Sequence, residues 1–311
     1  MLGNMKRFFR RHRGNVLRLQ WAGILVAGVA VVPGPSFAVN DQDAVKRGAY
    51  LVRAGGCVSC HTAKDGETFA GGRPIKTPFG TFYSPNITPD RETGIGGWSD
   101  KDFAKAMREG VRPDGAHYFP AFPYTSYTRM NRADALAIKA YLFSLPPAAR
   151  ANRDHDVGFP FSWRLVQAGW KLLFFDAGEL VPNPAKSEEW NRGAYLVEAL
   201  AHCGECHTPR NSFGALDRTM WLAGTIDGPD GEFVPNITPD KETGIGEWSE
   251  GDIVQLFKIG FKPNFNDVQG SMGEAVEDGL KHLTNADLKA IAVYLLALPP
   301  THNPIHPKQD N

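Results

Sequence analysis

The sequence carries no net charge, its 34 lysines and arginines balancing 34 aspartates and glutamates. No whole-chain field therefore draws it to nucleic acid, which we set aside as a partner. It also lacks an apolar run long enough to cross a bilayer: the run from Trp21 to Val32 falls short of the roughly 20 residues a spanning helix needs. Cysteine is scarce, at four residues, and all four sit in two tight clusters with none left over. Disorder is excluded by composition, which at 42% hydrophobic and 22% charged is that of a folded protein. The length suffices for two cores of about 100–150 residues each.

Residues 1–38 read as an export signal. A basic segment from Lys6 to Arg18 precedes the apolar run, followed by Pro33-Gly34-Pro35 and then Ser36-Phe37-Ala38, the order of n-region, h-region and cleavage site. Cleavage after Ala38 is expected, and with it a periplasmic location. Arg10-Arg11 raises the twin-arginine route, but His12-Arg13-Gly14 lacks the apolar pattern that should follow.

The cysteines fall as Cys57-Val58-Ser59-Cys60-His61 and Cys203-Gly204-Glu205-Cys206-His207. Each is a C-x-x-C-H sequence, the attachment signature of c-type haem. Two thiols three residues apart on a helical turn can each add to a haem vinyl group, and the next histidine then faces the iron. Disulfides or a redox dithiol need no histidine after both pairs. A zinc site drawing on all four thiols would have to join pairs far more widely spaced than zinc ribbons use. Two covalently bound haem c groups are expected, with His61 and His207 as proximal ligands.

The surrounding chain repeats. Arg47-Gly48-Ala49-Tyr50-Leu51-Val52 recurs as Arg192-Gly193-Ala194-Tyr195-Leu196-Val197. The stretch from Pro85 to Ser99, beginning Pro-Asn-Ile-Thr-Pro-Asp and ending Trp98-Ser99, returns from Pro235 to Ser249. Leu145-Pro146-Pro147 returns as Leu298-Pro299-Pro300. This is a tandem duplication: an all-α fold of two cytochrome c domains, 39–150 and 191–311, joined by a linker at 151–190. Each domain is expected to be a few helices and long loops around one haem. Ser99 with Asp102, Ser249 with Asp252, Asn131 with Asp134, and Thr284 with Asp287 mark helix starts. Leu136, Ile138, Tyr141 and Leu142, and their counterparts Leu288, Ile291, Tyr294 and Leu295, form one buried face, and the double prolines stop the helix. Segments 62–84 and 208–234 read as loops over the haem edge.

For the sixth iron ligand, Met272 lies in a loop ahead of Leu283 and the final helix. A thioether there can reach the distal face, the usual partner of histidine in electron-transfer cytochromes; the alternative is a gap-filling core methionine. The first copy has no methionine in the matching loop, Tyr118–Tyr124. We rank Met130 first, although it aligns with Leu283, then His117, then an open iron; Met107 reads as core. His155, His202, His282, His302 and His306 read as surface or backbone-bonded. Trp98 and Trp248 suit either a propionate contact or plain packing. Arg73 and Arg210 suit either charge-assisted bonds to propionates or solvation. In the linker, Trp163, Val166, Trp170, Leu173 and Phe174 fall at helical spacing, forming an apolar face. Its plainest use is packing between the two domains; docking on a partner subunit or the membrane interface are the others.

Taken with Phe119-Pro120-Ala121-Phe122-Pro123-Tyr124 and Cys206-His207-Thr208-Pro209-Arg210-Asn211, these motifs resemble the cytochrome c subunits of bacterial membrane-associated alcohol, aldehyde and sugar-acid dehydrogenases, and related diheme cytochromes. The resemblance spans nearly all of Lys46–Pro300. Those subunits commonly carry three haems, where this chain has two attachment sequences. The resemblance implies a periplasmic relay, held peripherally at the outer face of the inner membrane. Single electrons would pass from a dehydrogenase partner towards quinone, another cytochrome or a terminal oxidase, with no catalytic residue in this chain. The rival reading is a diheme peroxidase with one open haem site. A thiosulfate-oxidising enzyme with a cysteine ligand is disfavoured because every cysteine is committed.

Overall fold

The computed structural model describes residues 41–307, so the export signal expected at 1–38 lies outside them. The first copy begins with α1 (Asp41–Ala54) and α2 (Cys57–His61), followed by a hairpin of β1 (Pro74–Thr77) and β2 (Gly80–Tyr83). Helices α3 (Asp100–Glu109), α4 (Tyr124–Tyr127) and α5 (Arg132–Phe143) complete it. The linker supplies β3 (Asp156–Val157) and α6 (Arg164–Phe174). The second copy holds α7 (Glu188–Tyr195), which runs into a π-helical turn at Leu196–Leu200, then α8 (Gly204–His207), α9 (Glu250–Ile259), α10 (Gly270–Asp278) and α11 (Asn285–Leu296).

The helix starts obey the capping chemistry of the sequence. Ser99 and Ser249 form full capping boxes with Asp102 and Asp252. Asn131 and Thr284 accept from the backbone N–H of Asp134 and Asp287. These bonds satisfy N–H groups that the first helical turn leaves without partners. Gly110 and Gly260 end α3 and α9 in the left-handed conformation.

Strand structure corrects the all-α expectation. Segment 62–84 is not all loop: β2 pairs antiparallel with β1 on one side and β3 on the other. The cause is alternation in Gly80-Thr81-Phe82-Tyr83, whose Phe82 is buried against Phe119. A side chain at Gly80 would strike the Asp156 carbonyl, so only glycine lets β3 approach.

Each copy packs its first helix on its last, α1 on α5 and α7 on α11. The contact is made at the glycine of the repeated Arg-Gly-Ala-Tyr motif: a Cβ on Gly48 or Gly193 would collide with the carbonyl of Ala137 or Ala290. The arginine before it, Arg47 or Arg192, bonds the carboxylate of Asp134 or Asp287 on its own copy's last helix. The tyrosine crosses over. Tyr195 Oη donates to Asp134 Oδ2 at 2.6 Å, and Tyr50 Oη donates to Asp287 Oδ2 at 2.5 Å. Each hydroxyl also accepts the backbone N–H of the other copy's capping residue, Asn131 or Thr284. The motif thus closes its own copy through Arg and Gly and clamps the other through Tyr, twice over and reciprocally. Apolar residues from both copies share one core, from Leu51, Ile138 and Leu142 to Leu196, Leu288 and Ile291.

The linker helix meets its expected role in part. In α6 the buried residues are Gln167 and Lys171, while Leu165 and Leu172 are 79% and 87% exposed, as are Leu173 and the preceding Trp163 in large part. The physical reason is Lys171, whose ammonium donates to the Glu109 and Gly110 carbonyls at 2.6 Å, over the Tyr124 ring. These carbonyls end α3, where the helix dipole favours a cation. Burial pushes this lysine down to about 8. Of the face expected to pack between the copies, Trp170 and Phe174 do so, Trp170 Nε1 donating to the Phe213 carbonyl at 2.9 Å and the Phe174 ring stacking on that of Phe213, while Leu173 and Trp163 are exposed together with Leu165 and Leu172.

Removing one clamp hydroxyl by Tyr50→Phe leaves a buried Asp287 oxygen short of a donor. It should lower the unfolding free energy by about 1–2 kcal/mol, read from urea denaturation, with the fold retained.

Candidate functional site

Both C-x-x-C-H sequences form a single helical turn, α2 and α8, as the expected attachment requires. Turn geometry puts the two cysteines of each pair on one side, with the histidine closing the turn. The four thiols are unbridged. Burial pushes Cys57 and Cys203 up to about 12 and Cys206 to about 11. A redox dithiol needs the opposite, a stabilised thiolate. Among the described residues no group of three or more His, Cys, Asp or Glu side chains has metal-holding geometry, so the two cysteine pairs do not converge on one zinc site.

The histidines are prepared identically. His61 Nδ1 donates to the Pro85 carbonyl at 2.8 Å, and His207 Nδ1 to the Pro235 carbonyl at 2.8 Å. Burial lowers both pKa values, against the opposing effect of that carbonyl bond. A neutral imidazole with its proton tied on Nδ1 presents the Nε2 lone pair, the form that binds a metal. The donor set therefore fits a haem held by two thioethers and one axial imidazole.

Pro85 and Pro235 open the repeated Pro-Asn-Ile-Thr-Pro-Asp stretch, which is held in place by its own side chains. Asn86 Nδ2 donates to the Ala148 carbonyl at 2.7 Å, and Ala148 N–H donates to Thr88 Oγ1 at 3.1 Å. Asn236 and Thr238 make the same two bonds to Thr301, at 2.8 and 3.1 Å. The chain just beyond each double proline is thereby fastened to the loop that aims the histidine. The repeated segments build one device.

Arg73 and Arg210 both have partners, although Arg210 stays exposed to solvent. Arg73 donates to the Ser59 carbonyl at 2.8 Å and pairs with Glu274, and Arg210 donates to the Glu205 carbonyl at 2.9 Å and pairs with the Glu205 carboxylate. Ser59 and Glu205 hold the same position, just before the second cysteine. Their side chains also reach across: Ser59 Oγ donates to Asp278 of α10, while Thr125 and Ser126 of α4 donate to Glu205 Oε1 at 2.6 and 2.8 Å. Each attachment turn is thus gripped by a helix of the other copy, a pairing that no local pattern announces.

Met130 is fully buried in the shared core beside Tyr127 and Ile138. Met272 lies not in a loop but in the first turn of α10, half-buried against the core. The reason is that α10 extends over Gly270–Asp278, two glycines notwithstanding, and seats on α2 of the first copy. His117 has a buried Nδ1 without a partner, and burial followed by the charges of Lys171 and Lys105 lowers its pKa. Met107 is core, as read. Trp98 and Trp248 pack on the apolar core.

Sequence reading missed Glu205. Burial pushes its carboxyl up, but Arg210 and the hydroxyls of Thr125 and Ser126 outweigh that and hold it below the usual glutamate value. A depressed folded-state pKa stabilises above the ordinary value near 4.3 and is lost as pH falls through the folded one. Glu205→Gln should therefore cost about 1–3 kcal/mol at pH 7. The gap to the unaltered protein should close in denaturation curves taken below about pH 4.

Comparison with known proteins gives a match to the cytochrome c family over residues 45–146. A diheme cytochrome c-type protein of Cereibacter sphaeroides is 43% identical over 289 residues, 89% of this chain and 95% of that one. The gluconate 2-dehydrogenase cytochrome c subunit of Pantoea cypripedii is 43% identical over 82% of this chain, and the cytochrome c subunit of the quinone alcohol dehydrogenase of Gluconacetobacter polyoxogenes is 39% identical over 92%. This chain spans 59% and 61% of the length of those two subunits.

Proposed function

The chain belongs to the cytochrome c family, among diheme cytochromes and dehydrogenase cytochrome subunits, and on that premise we propose that it relays single electrons in the periplasm. The donor is a dehydrogenase subunit, and the acceptor is quinone, another cytochrome or a terminal oxidase. The chain itself is a carrier and turns over no substrate. One observation carries the assignment of two haem sites: the same constellation occurs twice, a C-x-x-C turn followed by a histidine whose Nδ1 is committed to a proline carbonyl.

Under this reading the chain divides into an export signal at 1–38, haem domains at 39–150 and 191–311, and a linker at 151–190. Cys57 and Cys60, and Cys203 and Cys206, hold the two haems by thioether bonds. His61 and His207 would bind iron, and Met130 and Met272 would supply the remaining ligand at each site. When bound, haem c supplies one-electron cycling between ferric and ferrous iron. The residues around it set how readily that occurs. Pro85 and Pro235 fix the imidazoles, and the buried thioether of Met130 adds a soft ligand away from water.

The outward face of α6 supports a docking role for the linker. Trp163, Leu165, Leu172 and Leu173 stand exposed on it, and a contiguous apolar face marks a place of contact. We take its occupant to be the dehydrogenase subunit, which keeps the carrier peripheral at the outer face of the inner membrane. Among the described residues no helix is long and apolar enough to cross a membrane.

Purified protein should carry two covalently bound haems by mass, and both should be low-spin by electron paramagnetic resonance. Met130→Ala and Met272→Ala should each turn one centre high-spin. A high-spin first centre in the unaltered protein would remove Met130 as a ligand, and turnover of hydrogen peroxide would replace the relay with a peroxidase. Leu165→Glu with Leu172→Glu should leave both spectra intact and release the protein from washed membranes. Binding of the unaltered protein to protein-free phosphatidylglycerol vesicles would instead make lipid the occupant.

A further inference from the structure

Just past α3 and α9 the two copies make the same tight turn, Val111 to His117 in the first and Phe261 to Asp267 in the second. Each turn is closed by an antiparallel bridge between those end residues. The tip is left-handed in both, Gly115 at φ 83° and Phe265 at φ 63°, and the N–H of each bonds the carbonyl three residues back at 2.9 Å. Glycine takes that conformation freely, whereas a phenylalanine there is strained. Two other bulky apolar residues sit at positive φ, Phe69 and Leu222, and both are buried, where packing offsets the strain. Phe265 is 83% exposed. Ile259 and Phe261, close to it in the chain, are exposed as well, at positions where the first copy has Glu109 and Val111.

In the first copy this turn is covered by α6. Arg164 donates to the His117 carbonyl at 3.1 Å, with its guanidinium 4.5 Å from the Phe119 ring, and Lys171 donates to the Glu109 and Gly110 carbonyls. The turn is thus met by a helix that brings two cations. The matching carbonyls of the second copy belong to Ile259, Gly260 and Asp267, and among the described residues no helix follows α11 to cover them as α6 does. The copies also differ in charge. Residues 39–150 hold 15 lysines and arginines against 11 aspartates and glutamates, whereas residues 191–311 hold 9 against 17. An excess of negative charge draws cationic partners to a surface and keeps anionic lipid away from it.

We propose that the second copy's turn, with Ile259, Phe261 and Phe265, is a docking surface for a second protein, one that presents lysine or arginine on an amphipathic helix as α6 does to the first copy. Phe265 is the anchor. Its ring is strained and unburied in this chain, and contact with the partner buries it. The partner's cations meet the carbonyls that end α9 and the carboxylate of Asp267, where a helix C-terminus favours positive charge. This surface is distinct from the outward face of α6, and it stands whether or not either cysteine pair carries haem.

The test uses the purified intact protein and, as probe, a fluorescently labelled amphipathic helix of leucine and lysine. Fluorescence anisotropy should show binding that weakens as salt rises, while a leucine–glutamate helix of equal length stays free. Phe265→Asn suits the left-handed backbone. It should weaken binding of the lysine helix severalfold while the thermal midpoint holds or rises, and Phe265→Tyr should bind as the unaltered protein does. A lower midpoint in the Asn variant would make Phe265 a residue of the fold and overturn the proposal. Equal affinity in the Asn variant, or binding of the glutamate helix, would overturn it too. Self-association of the unaltered protein in sedimentation, abolished by Phe265→Asn, would make a second copy the occupant instead. Binding to phosphatidylglycerol vesicles, abolished by the same substitution, would make it lipid; either result overturns a cationic protein partner.

Discussion

The bond from a histidine Nδ1 to a proline carbonyl is the constraint around which each half of this protein is organised. An imidazole that is to bind iron must be neutral, with its free nitrogen aimed in a fixed direction, and one carbonyl accomplishes both. Holding the carbonyl still demands more chain. Asn86 and Thr88 fasten it to the backbone beyond the last helix, as Asn236 and Thr238 do in the second copy. The long repeated stretch is thus a support for one hydrogen bond, and the helices serve to bring its two anchor points together.

A second constraint couples the halves. Each buried aspartate at the start of a last helix, Asp134 or Asp287, is shared between an arginine of its own copy and a tyrosine of the other. Because the arrangement is reciprocal, neither half completes its own hydrogen bonding alone, and the attachment turns are gripped in the same crossed manner through Ser59 and Glu205. Such crossed bonding fixes the two attachment turns relative to each other, since the side chains that hold them have partners only in the other copy. Helix α6 adds a surface that the fold leaves unburied: Lys171 meets the end of α3 and Trp170 and Phe174 meet Phe213, which leaves Leu165, Leu172 and Leu173 outside.

Much of this was legible because its signals are local. Capping pairs such as Ser99 with Asp102 sit three residues apart and form whatever else the chain does. C-x-x-C-H acts within one helical turn. The double prolines end helices by geometry alone. Misreadings arose where distant chain intervenes. Met272 was expected in a loop ahead of Leu283 and the final helix, yet α10 forms there against the other copy's attachment turn. Segment 62–84 looked irregular because it is rich in Gly, Pro and Thr, yet it folds as a hairpin that residues 156 and 157 join as a third strand. On α6, Leu173 was expected on the packed face with Trp170 and Phe174, yet it is exposed, because amphipathic spacing does not report how wide a stripe of the helix the protein covers.

The sequence by itself determined the chemistry offered at each site, the duplication and most helix boundaries, since these depend on residue types a few positions apart. Tertiary structure alone decided how the two copies are joined, which way α6 faces, and that Arg73, Arg210 and Glu205 work on the attachment turns. Those outcomes depend on partners up to 237 residues away in the chain, as Tyr50 is from Asp287, and a hydrogen bond leaves no periodic trace in the sequence at such a distance.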